Sequence, residues 1–127
     1  MTRVPGAHKI YLDDLTSGDT FYSPEHVVDS ERIRVFAQQI DLQPFHLDED
    51  AAGRTFFKGF VASGWHTAAI TVKLLVASLA IAGGVIGTGS EIRWPRPTGP
   101  DDMLHVVSTV IDISPSTYRL DRGIVTV

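Results

Sequence analysis

The sequence contains no cysteine. A disulfide framework, a thiolate metal site and a cysteine nucleophile are therefore excluded. Basic runs are also absent, because the eleven Lys and Arg residues are scattered and the formal net charge is −4. Such a chain lacks the positive surface that binds a phosphate backbone, and we expect no nucleic-acid partner.

Several familiar site motifs are missing as well. Histidines and carboxylates are not grouped at metal-ligand spacing, and no HExxH, GxGxxG or P-loop pattern occurs. No serine lies in a GxSxG elbow, so nucleophilic serine chemistry is not expected. We predict that the protein binds no metal ion.

No apolar run is long enough to cross a bilayer. The longest, residues 68–81, is interrupted by Lys73 and falls short of the roughly 18 to 20 residues that a membrane span needs. Residues 1–15 include charged side chains and no apolar h-region, so they do not resemble a secretory signal. We expect a cytoplasmic protein in which residues 68–81 form a buried helix.

The composition is that of an ordinary soluble protein, with 43% hydrophobic and 20% charged residues. A chain of 127 residues has room for one core, so we predict a single domain over residues 1–127. Because a short domain buries a small share of its surface, an exposed sheet edge or apolar face would favour self-association.

The first half of the chain predicts a strand followed by small helices. Residues 20–28 are rich in β-branched and aromatic side chains, although Pro24 interrupts them. Asp29 or Ser30 can cap a helix that ends near Ile40, with one apolar face made of Ile33, Phe36, Ala37 and Ile40. Pro44 predicts a turn over residues 41–45, and Asp48 can begin a short helix that stops near Gly53.

The second half predicts one long helix and then consecutive strands. Residues 64–82 are apolar on nearly all sides, which is typical of a helix covered by protein, and Gly83-Gly84 supply its end. Strand-like stretches follow at residues 85–94, 104–113 and 123–127, separated by turn signals at residues 95–100 and at Ser114-Pro115. This order predicts an α+β protein with an antiparallel sheet packed on a helix.

Two short segments contain the residues best suited to catalysis. Asp41 and His46 flank the predicted turn, where a carboxylate and an imidazole could share general acid and base work on one water. The alternative is that Asp41 only makes an Asx turn and His46 only leads into the next helix.

Ser63 and Gly64 stand where the long helix begins, and a helix N-terminus with a glycine can hold a carbonyl oxygen. The alternative is that Ser63 is only an ordinary N-cap and Gly64 only a tight bend. His66 lies one turn before Ile70 in a helical frame, and we assign it to packing.

Residues 41–48, DLQPFHLD, resemble the D-x-N-P-x-H-x-D signature of the MaoC-like, (R)-specific enoyl-CoA hydratases. Residues 62–65, ASGW, stand where that family carries a His-Gly-Met-like entry to its central helix. Residues 94–101 resemble its arginine-proline segment and the Pro-Gly-Asp turn, and residues 122–125 the start of a late strand. The resemblance extends from about residue 10 to the end of the chain.

The resemblance implies a hot-dog fold, in which an antiparallel sheet wraps a long central helix, and a homodimer or higher homo-oligomer. It implies a lyase of fatty-acid metabolism that interconverts a trans-2-enoyl-CoA and an (R)-3-hydroxyacyl-CoA without a cofactor. Asp41 and His46 would activate the water, and Gly64, with Ser63 beside it, would bind the thioester carbonyl. Trp65, Phe57 and Phe60, close to the helix entry, could line an acyl pocket or belong to the core.

The chain departs from the family pattern at three places. Gln43 replaces the usual asparagine, and we expect it to bond backbone groups of the turn. Ser63 stands where histidine is common and could mark a different acyl preference. The sequence also stops at residue 127 without the family's final strand or two, so we expect an incomplete sheet that a partner strand completes, or an incomplete sequence.

Two other functions fit the same residues. Hot-dog proteins include thioesterases, in which a carboxylate-activated water hydrolyses the thioester and releases free thiol. A non-catalytic subunit that binds acyl-CoA and pairs with another hot-dog chain is the second alternative.

Overall fold

The computed structural model describes residues 2–3 and 9–127 of the chain. The prediction that residues 1–15 form no secretory signal therefore rests partly on residues outside this description. The elements are β1 (Thr2–Arg3), a 3-10 helix (Leu12–Asp14), β2 (Thr20–Tyr22), β3 (His26–Val27), α1 (Ser30–Ile40), α2 (Pro44–Leu47), α3 (Glu49–Ala52), α4 (Gly64–Ser78), β4 (Met103–Leu104), β5 (Val107–Thr109), β6 (Asp112–Pro115) and β7 (Gly123–Thr126). No helix in the described part of the chain is long and apolar enough to span a bilayer.

One compact unit comprises Met1–Pro24, Lys73–Thr88 and His105–Val127. Its three-stranded sheet has the order β1-β2-β5, in which β1 is parallel and β5 antiparallel to β2. The pair β6 and β7 is antiparallel, with Ile113 opposite Val125. Its core is formed by buried apolar side chains from these segments: Ile10, Leu15, Phe21, Leu79 and Val110.

The second compact unit comprises Glu25–Val72 and Gly89–Leu104. It contains the antiparallel pair β3 and β4, the helices α1 to α3 and the first part of α4. Val28, Ile33 and Ala62 form its core. A loop near residue 100 is attached to this core through backbone hydrogen bonds, from Val28 N–H to the Asp102 carbonyl and from Asp101 N–H to the Val28 carbonyl, both 2.8 Å.

The predictions for the first strand and helix are confirmed. The strand is broken around Pro24, because β2 ends at Tyr22 and β3 begins at His26. The helix α1 runs from Ser30 to Ile40, and the Asp29 side chain caps it by accepting a hydrogen bond from Glu31 N–H.

Pro44 acts differently from the prediction. The turn covers residues 41–43 only, because Pro44 occupies the first position of α2. A proline fits there, since the first N–H of a helix has no partner inside the helix and the ring already has a helical φ. Gln43 before it is extended, as a residue preceding proline should be. His46 consequently lies on a helix rather than after a turn.

The prediction for α4 is wrong at its end and in its burial. The helix stops at Ser78 because the backbone groups of Ala80 and Ala82 form hydrogen bonds with Ile10. Gly83 and Gly84 have positive φ but lie beyond this end. Within a single chain α4 is not covered on most sides, since Ile70 and Leu74 are buried whereas three apolar side chains remain more than half exposed: Trp65, Val72 and Val76.

Among the predicted strands, residues 123–127 are confirmed as β7, and residues 104–113 are divided among β4, β5 and β6. Ser114-Pro115, predicted as a turn, belongs to β6. Residues 85–94 form no strand in the described structure. A strand requires a neighbouring strand to pair with as well as suitable side chains. This exposed, glycine-containing segment pairs with no strand in the described structure.

Removing the cap of α1 should destabilise the protein. Replacing Asp29 by alanine leaves the N–H of Glu31 without its side-chain acceptor, at a cost of about 1 kcal/mol in the free energy of unfolding. Asp29→Asn, which keeps an acceptor oxygen, should retain most of the stability. Urea unfolding of both variants measures the difference, and equal stability of Asp29→Ala and the parent would contradict the capping role.

Candidate active site

Asp41 and His46 converge, as the spacing predicted. Asp41 follows the last residue of α1 and its N–H closes that helix on the Ala37 carbonyl at 2.9 Å. The short helix α2 then turns the chain so that His46 faces back towards Asp41. The two side chains approach to 3.3 Å between His46 Nε2 and Asp41 Oδ2.

The tautomer of His46 is fixed by a backbone carbonyl. Its Nδ1 lies 2.7 Å from the oxygen of Val61, and a carbonyl can only accept a hydrogen bond, so Nδ1 must donate. In the neutral ring Nε2 then has a free lone pair, directed towards Asp41. Since His46 is only 5% exposed, its orientation is firmly set, and the pair can act on a single water.

The Asp41 carboxylate is held by two side-chain donors. Ser63 Oγ donates to Oδ2 at 2.7 Å, and Gln43 Nε2 donates to Oδ1 at 2.6 Å. Burial alone raises the pKa of Asp41, but the hydrogen bonds from Ser63 and Gln43 and the nearby His46 bring this pKa below its ordinary value of 3.8. Gln43 thus bonds the carboxylate through its side chain, where backbone groups were the expected partners.

The N-terminus of α4 lies beside this pair. Ser63 is completely buried, and its Oγ accepts a hydrogen bond from Trp65 N–H at 3.3 Å, so it is the N-cap of the alternative interpretation. Gly64 is the first helical residue, where N–H groups have no acceptor inside the helix. The indole of Trp94 covers Gly64, and a Cβ built there would lie 2.9 Å from Trp94 Cε2. Packing therefore favours glycine at this position, since a larger residue would displace the Trp94 ring.

A cleft of about 500 Å³ contains these groups. Asp41, His46 and Gly64 lie in its wall. Its apolar side is built from aromatic rings: Phe45, Phe56, Phe57, Trp65 and Trp94. Trp65 and Trp94 meet edge to face with ring centroids 5.3 Å apart. Such a mixture of apolar rings and a few convergent polar groups is typical of a small-molecule site.

The structure brings most of the predicted site residues together. Phe57 and Trp65 line the cleft, whereas Phe60 does not. Phe60 instead packs against the core of Val28, Ile33 and Ala62 and lies under the guanidinium of Arg34. Ser63 is not in the cleft wall either, and its hydroxyl bonds the Asp41 carboxylate and caps α4.

Sequence reasoning missed part of the cleft. Trp94 and Arg96 line it from the loop after residue 89, and Phe45 lines it from within the signature. The prolines at positions 95 and 97 marked this loop as a turn, but nothing local to it indicated that it lies beside Gly64.

His66 has the packing role assigned to it. Its ring stacks on Phe36 with the centroids 4.7 Å apart and the planes 8° from parallel. Burial lowers the pKa of His66, and His26 and Arg32 lower it further through their charge. A metal-binding group of three His, Asp or Glu side chains was not found among the described residues.

Comparison with known proteins assigns the family. Residues 15–126 match the family model described as the MaoC-like domain. The uncharacterised protein YdeM of Bacillus subtilis is 35% identical over 119 residues, which are 91% of this chain and 82% of that protein. The chain belongs to the MaoC-like domain family.

Solved structures give the same assignment. A MaoC-like dehydratase from Rhodospirillum rubrum is 54% identical, with a TM-score of 0.88 over 92% of this chain and 81% of that one. An unliganded (R)-hydratase from Pseudomonas aeruginosa is 27% identical, with a TM-score of 0.73 over 84% of this chain and 68% of that one. The α+β hot-dog fold implied by the resemblance is confirmed.

Adding a methyl group at Gly64 should disturb the cleft. In Gly64→Ala the new Cβ would collide with the Trp94 ring, and displacing this ring costs about 1–3 kcal/mol. The chain has two tryptophans, and both line the cleft, so intrinsic fluorescence reports the displacement directly. We expect a changed emission spectrum and a lower melting temperature.

Gly59→Ala is the matched control, because a Cβ at Gly59 meets nothing within 4 Å. It should leave both the emission and the melting temperature close to those of the parent. An unchanged spectrum in Gly64→Ala would show that Trp94 does not pack on Gly64.

Proposed function

We propose that the protein hydrates a trans-2-enoyl-CoA to an (R)-3-hydroxyacyl-CoA, or catalyses the reverse dehydration. The observation that carries the proposal is the Asp41–His46 pair, 3.3 Å apart, in the same cleft as the N-terminus of α4. The names of the dehydratase and (R)-hydratase relatives support the general class of reaction. The acyl-CoA substrate and the roles of the individual residues are our proposal.

Hydration makes two demands that these groups can meet. As the water oxygen bonds to the β-carbon, the water must lose a proton, and negative charge moves to the thioester oxygen. The Asp41–His46 pair accepts the proton, while the N–H of Gly64 at the positive end of the helix stabilises the oxygen. The proton is then returned to the α-carbon, and the pair ends in its starting state.

The proposed reaction needs no cofactor of its own. Water is the co-reactant, CoA is part of the substrate, and no electrons are gained or lost. We assign the aromatic side of the cleft, including Phe57 and Trp65, to the acyl chain or the adjoining part of the carrier, because rings of this kind bury apolar groups well. We also propose that the protein works as a homo-oligomer, which would cover the exposed side chains of α4.

Loss of either member of the pair should abolish most activity. Hydration of crotonyl-CoA, followed by the loss of enoyl absorbance, should fall roughly 10²- to 10⁴-fold in Asp41→Asn and in His46→Gln. The same chemical changes at exposed positions, Asp112→Asn and His105→Gln, are the controls and should keep full activity. Far-UV circular dichroism and melting temperature establish that every variant is folded.

Free thiol is measured in the same assay. Asp41-dependent loss of absorbance without thiol release is the expected result. Thiol release in place of hydration would identify a thioesterase. Quenching of tryptophan fluorescence by crotonyl-CoA without turnover would identify a binding protein, and two fully active site variants would exclude the proposed mechanism.

A further inference from the structure

Both oxygens of the Asp41 carboxylate carry a side-chain hydrogen bond from a donor outside the catalytic pair. Gln43 reaches Oδ1 at 2.6 Å and Ser63 reaches Oδ2 at 2.7 Å. The donors come from different parts of the chain, two and twenty-two residues away in sequence. The carboxylate is therefore restrained at both ends, and its plane is fixed relative to the cleft.

Ser63 links this carboxylate to α4. Its Oγ accepts from Trp65 N–H at 3.3 Å while it donates to Asp41. The N–H groups of a first helical turn carry the positive end of the helix dipole. A hydroxyl that accepts one hydrogen bond becomes a stronger donor in the next, so Ser63 passes this positive potential on to Asp41. The same helix start carries Gly64, the proposed contact of the thioester oxygen.

We propose that Ser63 and Gln43 are positioning residues that hold Asp41 as an oriented anion, so that Asp41 accepts the proton in the reaction. That Asp41 accepts the proton rests on the proposed function. That Ser63 and Gln43 orient the carboxylate and keep it ionised does not. A protonated Asp41 could donate to His46 Nε2, but Ser63 and Gln43 both donate to this carboxyl group and bind its ionised form more strongly. The lowered pKa of Asp41 agrees with this geometry.

The titratable groups around Asp41 are few. Among the described residues, His46 on α2 is the ionisable side chain within 4 Å of the carboxylate, and Arg96 lines the same cleft. His46 keeps its separate bond to the Val61 carbonyl, which a change at Ser63 or Gln43 does not remove. Because His46 lies 3.3 Å from the Asp41 carboxylate, the ionisation of Asp41 must be observed at its own carboxyl carbon.

Carbon NMR of protein labelled in its aspartate carboxyls provides this measurement. The Asp41 signal is assigned by its loss in Asp41→Asn, and its titration midpoint is followed in Ser63→Ala and Gln43→Leu. A hydrogen bond to a charged group is lost in each case, so we expect the midpoint to rise by about one pH unit or more in Ser63→Ala. Gln43 is exposed, and its removal should raise the midpoint by a smaller amount.

Two matched variants control for the loss of a hydroxyl and of an amide. Ser78→Ala removes another buried serine hydroxyl of α4, one that donates within the helix to the Leu74 carbonyl. Gln39→Leu removes an exposed glutamine side chain from α1. Neither change should move the Asp41 midpoint. Ser63→Thr keeps the hydroxyl and should restore the midpoint towards that of the parent.

The pH profile of crotonyl-CoA hydration gives a second measurement. In Ser63→Ala the acid limb of kcat/KM should move to higher pH together with the NMR midpoint, because the carboxylate is protonated earlier. Ser63 does not line the cleft, so the affinity for crotonyl-CoA measured by tryptophan fluorescence should stay unchanged while kcat falls. A purely structural role for Ser63 would lower the melting temperature without moving the acid limb.

An Asp41 midpoint that is unchanged in both Ser63→Ala and Gln43→Leu would overturn the proposal. If Ser63→Ala does not fold, the exposed Gln43→Leu variant decides the outcome. The NMR titration needs no turnover. If the midpoint shifts in these variants but the parent protein hydrates no enoyl thioester, Ser63 and Gln43 do stabilise the Asp41 anion and the hydratase proposal is overturned instead.

Discussion

Three consecutive residues, Val61, Ala62 and Ser63, hold the site together. Val61 donates its N–H to the Phe45 carbonyl and accepts from His46 Nδ1; Ala62 donates to the Thr98 carbonyl, and Ser63 donates to Asp41. All three are buried, where an unpaired polar group costs free energy. These hydrogen bonds constrain different segments. One short stretch of backbone therefore fixes Asp41 and His46, the loop that contains Thr98, and the start of α4.

Hydrogen-bond donors stabilise the charge of the Asp41 carboxylate. Burial raises the pKa of Asp41, and the hydrogen bonds from Ser63 and Gln43 together with the nearby His46 more than offset this effect. The orientation of His46 is set by the Val61 carbonyl, which accepts a hydrogen bond from Nδ1. The other ring nitrogen, Nε2, therefore faces Asp41. A carboxylate kept ionised next to an oriented imidazole is a suitable arrangement for taking a proton from water.

Several elements could be predicted because their causes are local. Asp29 caps α1, Pro24 divides the first strand and the acidic residue Asp48 begins α3, since each effect involves neighbours within a few positions. The predictions failed where a distant segment decides the outcome. Residues 85–94 have strand-forming side chains but pair with no neighbouring strand among the described residues. The helix α4 ends early because the backbone after it forms hydrogen bonds with Ile10.

The sequence by itself determined which residues are candidates for the chemistry, since the spacing of Asp41, His46 and Gly64 around Pro44 and a helix start is a property of the chain. Only the tertiary structure decided which contacts those residues make. It bonded Ser63 to the Asp41 carboxylate, packed Phe60 against the core and placed Trp94 over Gly64. These contacts join residues far apart in sequence. Local sequence patterns cannot predict them, because hydrogen bonding and packing between segments depend on how the chain folds.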